Sequence, residues 1–242
     1  MEQNRTSKYF KYAIGEILLV VIGILIALQI NNWNLNRIQL KQEQKLLWSL
    51  KADFDESKVR LIEVMNKQKN VLRKSADLIK IYEGKIPRPI NDSITNFIAY
   101  GAYAWYRAEL LTGAYDAFIN TGNTELIQND NLTKMLAEYF SILNSGFEDQ
   151  ENSMDLLNNM QTTLAPFNLD LAYSPLRNRI GLDTLPSPRE DEAIDFLFKQ
   201  DAFFGNLINR ALVEQLRYSI QTDLLSKINE ILLVLANEIE LN

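Results

Sequence analysis

The sequence predicts an all-α protein, in which one N-terminal transmembrane helix continues into a helical-bundle soluble domain. Three observations carry this. Tyr12–Ile30 is a nearly uncharged apolar run. Beyond it, apolar residues recur at three- and four-residue steps rather than alternating. Gly (9) and Pro (6), the residues that break helices, are scarce among 242 residues.

The elements follow in order. Residues 1–11 form a short tail and 12–32 the membrane helix. The run YAIGEILLVVIGILIALQI holds a single charge, Glu16. Its 19 residues span roughly 28 Å at about 1.5 Å each, close to a hydrocarbon core. Tyr9, Phe10 and Tyr12 mark one interface and Trp33 the other, as aromatic belts do. A cleaved signal peptide would want small residues before its cleavage point, and LQINNWNLN offers no such pair. Lys8 and Lys11 lie nearer the run than Arg37, which places the N-terminus inside and the domain outside the cytoplasm.

Residues 33–242 make the domain. Its stalk helix spans 35–83, with Leu47, Leu50, Phe54, Leu61, Met65, Leu72, Ile79 and Tyr82 as a core-facing or coiled-coil seam and Gly84 as its stop. Asn91, Asp92 and Ser93 offer a cap for a helix over 93–106. Another runs over 108–120 and stops at Gly122. Asp130 or Asn131 caps a helix through Asn144, and Ser145-Gly146 is read as a kink or break. A further helix covers 147–163, ahead of Pro166. Residues 166–187 form an irregular connection. Ser187-Pro188-Arg189-Glu190 is a capping box that opens a long C-terminal helix to about Ile239, with Asp201 or Gly205 as interruptions. Its apolar faces come from Phe196, Phe203, Leu207, Ala211, Leu225, Ile228, Leu232 and Leu235.

The chain has no Cys and no His. Thiolate nucleophiles, imidazole bases and the usual zinc sites are therefore excluded. Residues 1–45 carry six Lys/Arg against three acids, a net of +3, so the remainder carries −9 of the total −6. Nucleic acid is not an expected partner of so acidic a domain. The acids Glu190, Asp191, Glu192 and Asp195 suit a helix start better than a metal, as do Asp149, Glu151 and Asp155. No catalytic, cofactor-binding or metal-ligating residue is assigned, and no cofactor is expected.

Two clusters stand out. Glu16, Val20, Gly23 and Ala27 share one side of the membrane helix, and Gly23 with Ala27 permits close helix approach. Continued along the seam from Leu47 to Tyr82, this side would support a homo-oligomer; the alternative is that the seam packs on the chain's own helices. Phe97, Tyr100, Tyr103, Trp105 and Tyr106 are read as core, with a ligand pocket as the alternative.

The block KYFKYAIGEILLVVIGILIALQINNWN resembles the opening of a family of bacterial single-pass inner-membrane proteins of unknown function. The stretch LLTGAYDAFINTGNTELIQNDNLTKMLAEYF is similar to the same family. The resemblance implies a bacterial envelope protein and carries no activity or site residues. The function expected is non-catalytic: protein–protein interaction, scaffolding or assembly, with the lipid bilayer, a second copy or another membrane protein as partner. An extracytoplasmic small-molecule sensor signalling through a partner is the alternative. The expected location is the bacterial inner membrane, with the domain periplasmic.

Overall fold

The computed structural model describes residues 3–122, 124–145, 150–167, 181 and 189–241. Among these lie seven α-helices and no strand. α1 (Gln3–Tyr82) is one unbroken helix of 80 residues, roughly 120 Å long at about 1.5 Å per residue. The anchor and stalk anticipated at 12–32 and 35–83 are thus one element. Gly84 follows it at φ 70°, a left-handed conformation that glycine adopts without steric cost.

α1 is paired with α7 (Asp201–Leu241) over the length of the domain. Gln44 lies opposite Glu238, Gln68 opposite Glu214 and Tyr82 opposite Asp201, so the two helices run antiparallel in constant register. The buried positions of α7 recur at alternating four- and three-residue steps from Phe203 and Leu207 to Ile231 and Leu235. Those of α1 do the same from Glu43 through Leu47, Leu50, Phe54 and Ser57 to Leu61, and again from Gln68 through Val71 and Ser75 to Leu78, with Met65 buried one place off the line between them. This seven-residue repeat is that of a coiled coil.

The seam corrects the sequence reading in two places. On α1 the buried line passes through Val71 and Leu78, with Leu72 and Ile79 half-buried beside it. On α7 it passes through Arg210, Leu224 and Ile231 rather than Ala211, Leu225 and Leu232. The slip has one cause: Ser57, Gln68 and Ser75 on α1, and Arg210, Glu214, Arg217 and Gln221 on α7, are polar residues at seam positions. An apolar pattern steps around them.

Apolar residues form two cores, one at each end of this pair. In the core nearer the apolar segment, Leu47, Leu50, Phe54 and Leu61 meet Leu224, Ile228 and Leu235, covered by Leu132, Leu136, Tyr139 and Phe140 of α4 (Asp130–Asn144). In the far core, Leu78 and Ile81 meet Phe203, Phe204 and Leu207. That core is closed by α2 (Asn91–Phe97), by α5 (Gln150–Leu164) through Met160 and Leu164, and by α6 (Glu190–Leu197).

Other boundaries shift. The helix expected over 93–106 is α2 followed by a π turn, Ile98–Ala102. That expected over 108–120 is only α3 (Gly113–Asn120). Residues 104–112 are irregular. α2 begins one residue past Ile90 without a side-chain cap, and Asn91 instead donates to Asp191 at 2.5 Å. Asn129 caps α4, its Oδ1 accepting from Leu132 N at 2.9 Å, one residue ahead of the expected cap. α4 ends at Asn144, and α5 runs to Leu164 before a short 3-10 turn through Pro166. The expected 187–239 helix is interrupted at Phe198–Gln200, directly ahead of Asp201, one of the two places anticipated; there the Gln200 carbonyl accepts from Phe203 N at 3.0 Å and α7 begins. Arg189, not Ser187, stands before the first turn of α6. Ser187, Pro188, Asp149 and most of the 166–187 connection lie outside the described residues.

Candidate functional site

Between the two cores the seam of α1 and α7 carries charge. Arg210, Glu214 and Arg217 are each 1% exposed. They sit on α7 at the four- and three-residue steps that keep them in phase with Leu207 and Leu224. The Glu214 carboxylate is the hub. Its Oε2 accepts from Arg217 Nη1 at 2.5 Å and from Gln68 Nε2 of α1. Its Oε1 accepts from Ser153 Oγ of α5 at 2.5 Å and lies 3.6 Å from Arg210 Nη2. Both oxygens are engaged, so neither is free to act as a base.

The guanidinium groups reach outward from this hub to the irregular segment. Arg210 Nη1 donates to Ala102 O at 2.5 Å and to Gly101 O at 3.3 Å, and Nη2 donates to Ala104 O at 2.5 Å. Arg217 Nη2 donates to Tyr106 O at 2.8 Å, and its guanidinium lies 5.1 Å from the Trp105 ring. Burial pushes the Arg210 pKa down, and the Glu214 charge opposes that shift. The carbonyls left open at the end of the π turn supply further partial negative charge.

α1 satisfies the amides of the same stretch. Leu111 N donates to Ser57 Oγ at 2.9 Å, Ala114 N to Asp53 Oδ2 at 2.8 Å, and, further on, Gln128 N to Glu43 Oε1 at 2.8 Å. This explains why residues 104–112 are not helical: their backbone groups are taken by side chains of the two long helices. The approach is close. A Cβ on Gly101 would lie 2.8 Å from Lys74 Cβ and 3.0 Å from Ser75 N.

The aromatic residues singled out from sequence do not converge on one pocket. Phe97 and Tyr103 join the far core, where Tyr103 Oη donates to Met160 O at 3.2 Å. Tyr100 lies beneath Lys74 at 4.7 Å, Tyr106 beneath Lys67 at 5.5 Å, and Trp105 beneath Arg217. Three of the five are thus platforms for cations around the charged layer. The acids of α6 are also dispersed: Asp195 pairs with Arg88 at 2.7 Å, Asp191 accepts from Asn91, and Glu190 is buried. Burial, then Asp92 and Asp191, raise the Glu190 pKa.

Glu16, Val20, Gly23 and Ala27 share one side of α1, in a stretch long and apolar enough to cross a membrane and not buried inside the protein. A Cβ on Gly23 would meet nothing within 4 Å. Among the described residues, the first buried α1 side chain is Glu43.

Residues 16–83 match a family of unknown function, DUF6090. The match coincides with α1 from its apolar stretch to one residue beyond Tyr82. The second block of resemblance, within 110–140, lies outside it. No curated protein and no solved structure matches the chain.

The charged layer escaped the sequence reading. Its signal was present: Arg210 and Arg217 are seven residues apart, and with Glu214 they fill the gap between two apolar runs of one heptad repeat.

Proposed function

We propose that the protein is a non-catalytic, single-pass envelope protein of a bacterial inner membrane. Its helical domain, on the periplasmic side, works through protein–protein contacts as a scaffold or assembly partner. The observation that carries this reading is α1. One unbroken helix bears an exposed apolar stretch of membrane-spanning length and then becomes half of the domain's coiled coil. A domain so built takes its position and orientation from the bilayer. The polar groups of the buried layer are turned toward one another and toward backbone carbonyls, which suits a rigid frame.

The test is fractionation of cells expressing the full chain. Alkaline carbonate should leave the protein in the membrane pellet, and protease added to spheroplasts should digest the domain. Recovery in the soluble fraction overturns the anchor, and protection in intact spheroplasts overturns the orientation. A domain that site-directed cross-linkers join to no protein in native membranes, whatever surface they probe, overturns the scaffold role.

A further inference from the structure

We propose that a second copy of this chain docks, parallel and in register, along the outer face of α1, from Gly23 and Ala27 in the bilayer to Trp48, Ala52 and Val59 on the domain. The inference rests on the membrane-anchored reading above. α1 buries one side against α7, and the opposite side has no partner within the chain among the described residues. There, Trp48 is 57% and Val59 62% exposed.

These residues are in phase with the membrane face. Val59 follows Gly23 by about ten turns at roughly 3.6 residues a turn, and α1 is unbroken between them. Ala52 and Trp48 flank the same line. Asn34, Lys41 and Lys45 stand on this line between the two, so the side that permits close helix approach in lipid resumes beyond them as an exposed apolar side of the domain. Shared insertion in one bilayer makes two copies parallel.

Charge selects the second copy as occupant. Taking Ala52 and Val59 as one line of a seven-residue seam and Trp48, Asp55 and Ile62 as the other, Lys51 and Lys58 flank it on one side and Glu56 and Glu63 on the other. In a parallel pair, flanking residues meet five positions apart. Lys51 then faces the second copy's Glu56, and Lys58 its Glu63; both pairs are of opposite sign. Asp55 interrupts the apolar line, and Lys51, Glu56 and Glu63 already pair within the helix with Asp55, Arg60 and Lys67 at 2.6–2.7 Å, so the cross-pairs would be shared ones. The α7 surface has exposed Ile208, Leu212 and Leu216 and is the rival site.

Cysteine cross-linking of the full chain in membranes decides, because the chain has no native Cys. Ala27→Cys, Ala52→Cys and Val59→Cys should each give disulfide-linked dimers, while Leu25→Cys and Leu212→Cys should not. Lys51→Glu with Lys58→Glu should cut the Val59→Cys dimer several-fold, and adding Glu56→Lys with Glu63→Lys should restore it. Dimers at Leu212→Cys alone, equal dimers at all five positions, or none at any of them in membrane-embedded protein overturn the proposal and leave the anchor intact. Indifference of the dimer to the charge reversal overturns the parallel register. Protein recovered in the soluble fraction overturns both readings, so the two failures are distinguishable.

Discussion

Replacing Glu214 by Ala tests whether the buried layer is what ties α1, α7 and the 101–114 segment together. The substitution removes the acceptor for Arg217, Ser153 and Gln68 and leaves two guanidinium groups, each 1% exposed, with no anion beside them. Breaking a buried ion pair by deleting one partner costs about 3–5 kcal/mol, a large part of the roughly 5–15 kcal/mol that holds a domain folded. At about 2–4 °C per kcal/mol for a chain of this size, the melting temperature should fall by roughly 6–20 °C. The double variant Glu214→Leu with Arg217→Met removes both charges of the closest pair and should recover at least about 2 kcal/mol relative to Glu214→Ala. It should not recover everything, because buried Arg210 still has no anion beside it and Tyr106 O loses its donor, the latter at about 1 kcal/mol. Urea unfolding of the full chain in mild detergent, followed by circular dichroism at 222 nm, measures both. A loss below about 1 kcal/mol for Glu214→Ala would refute the assignment of the layer as a dry, interlocked core.

Gly101→Ala should destabilise by about 1–3 kcal/mol in the same assay, since its Cβ would sit 2.8 Å from Lys74 Cβ and 3.0 Å from Ser75 N; an unchanged midpoint contradicts the close approach. Tyr139→Phe should raise stability by about 1 kcal/mol, because the hydroxyl is buried with no partner among the described residues; a loss would reveal a hidden partner. Glu190 takes up a proton more readily folded than unfolded, so wild-type stability should rise as pH falls from neutrality toward its raised value. Glu190→Gln should be the more stable chain at pH 7 and lose that part of the pH dependence, and identical pH profiles would count against it. Deletion of residues 1–33 should yield a soluble, folded domain, because the α1 residues described before Glu43 bury nothing. Aggregation or a molten spectrum in detergent-free buffer would show that the exposed part of α1 belongs to the fold.

The sequence was most legible where one physical demand acts alone. An apolar run of membrane-spanning length needs no tertiary partner to be recognised, and the all-α class follows from spacing. Gly122, at φ 68°, was legible for the same reason, because few other residues adopt that conformation cheaply. Leu47, Leu50, Phe54 and Leu61, and Phe203, Leu207, Ile228 and Leu235, were legible as core because apolar residues at helical steps are buried wherever the helix packs.

Tertiary structure decided the rest. Residues 98–112 have helical propensity and aromatic spacing, yet helix stops at Ala102, because Arg210, Arg217, Ser57 and Asp53 offer their backbone groups better-placed partners from two other helices. The middle of the seam was illegible for a related reason. Reading burial from polarity assumes that charges face water, whereas Arg210, Glu214 and Arg217 are buried because each finds its partners across the interface. By itself the sequence determined that there are long amphipathic helices and where an apolar one begins. Only the folded chain decided which face of each is inside, because the buried charges, besides pairing with one another along α7, draw on Gln68, Ser153 and the carbonyls of 101–106, which lie far away in sequence.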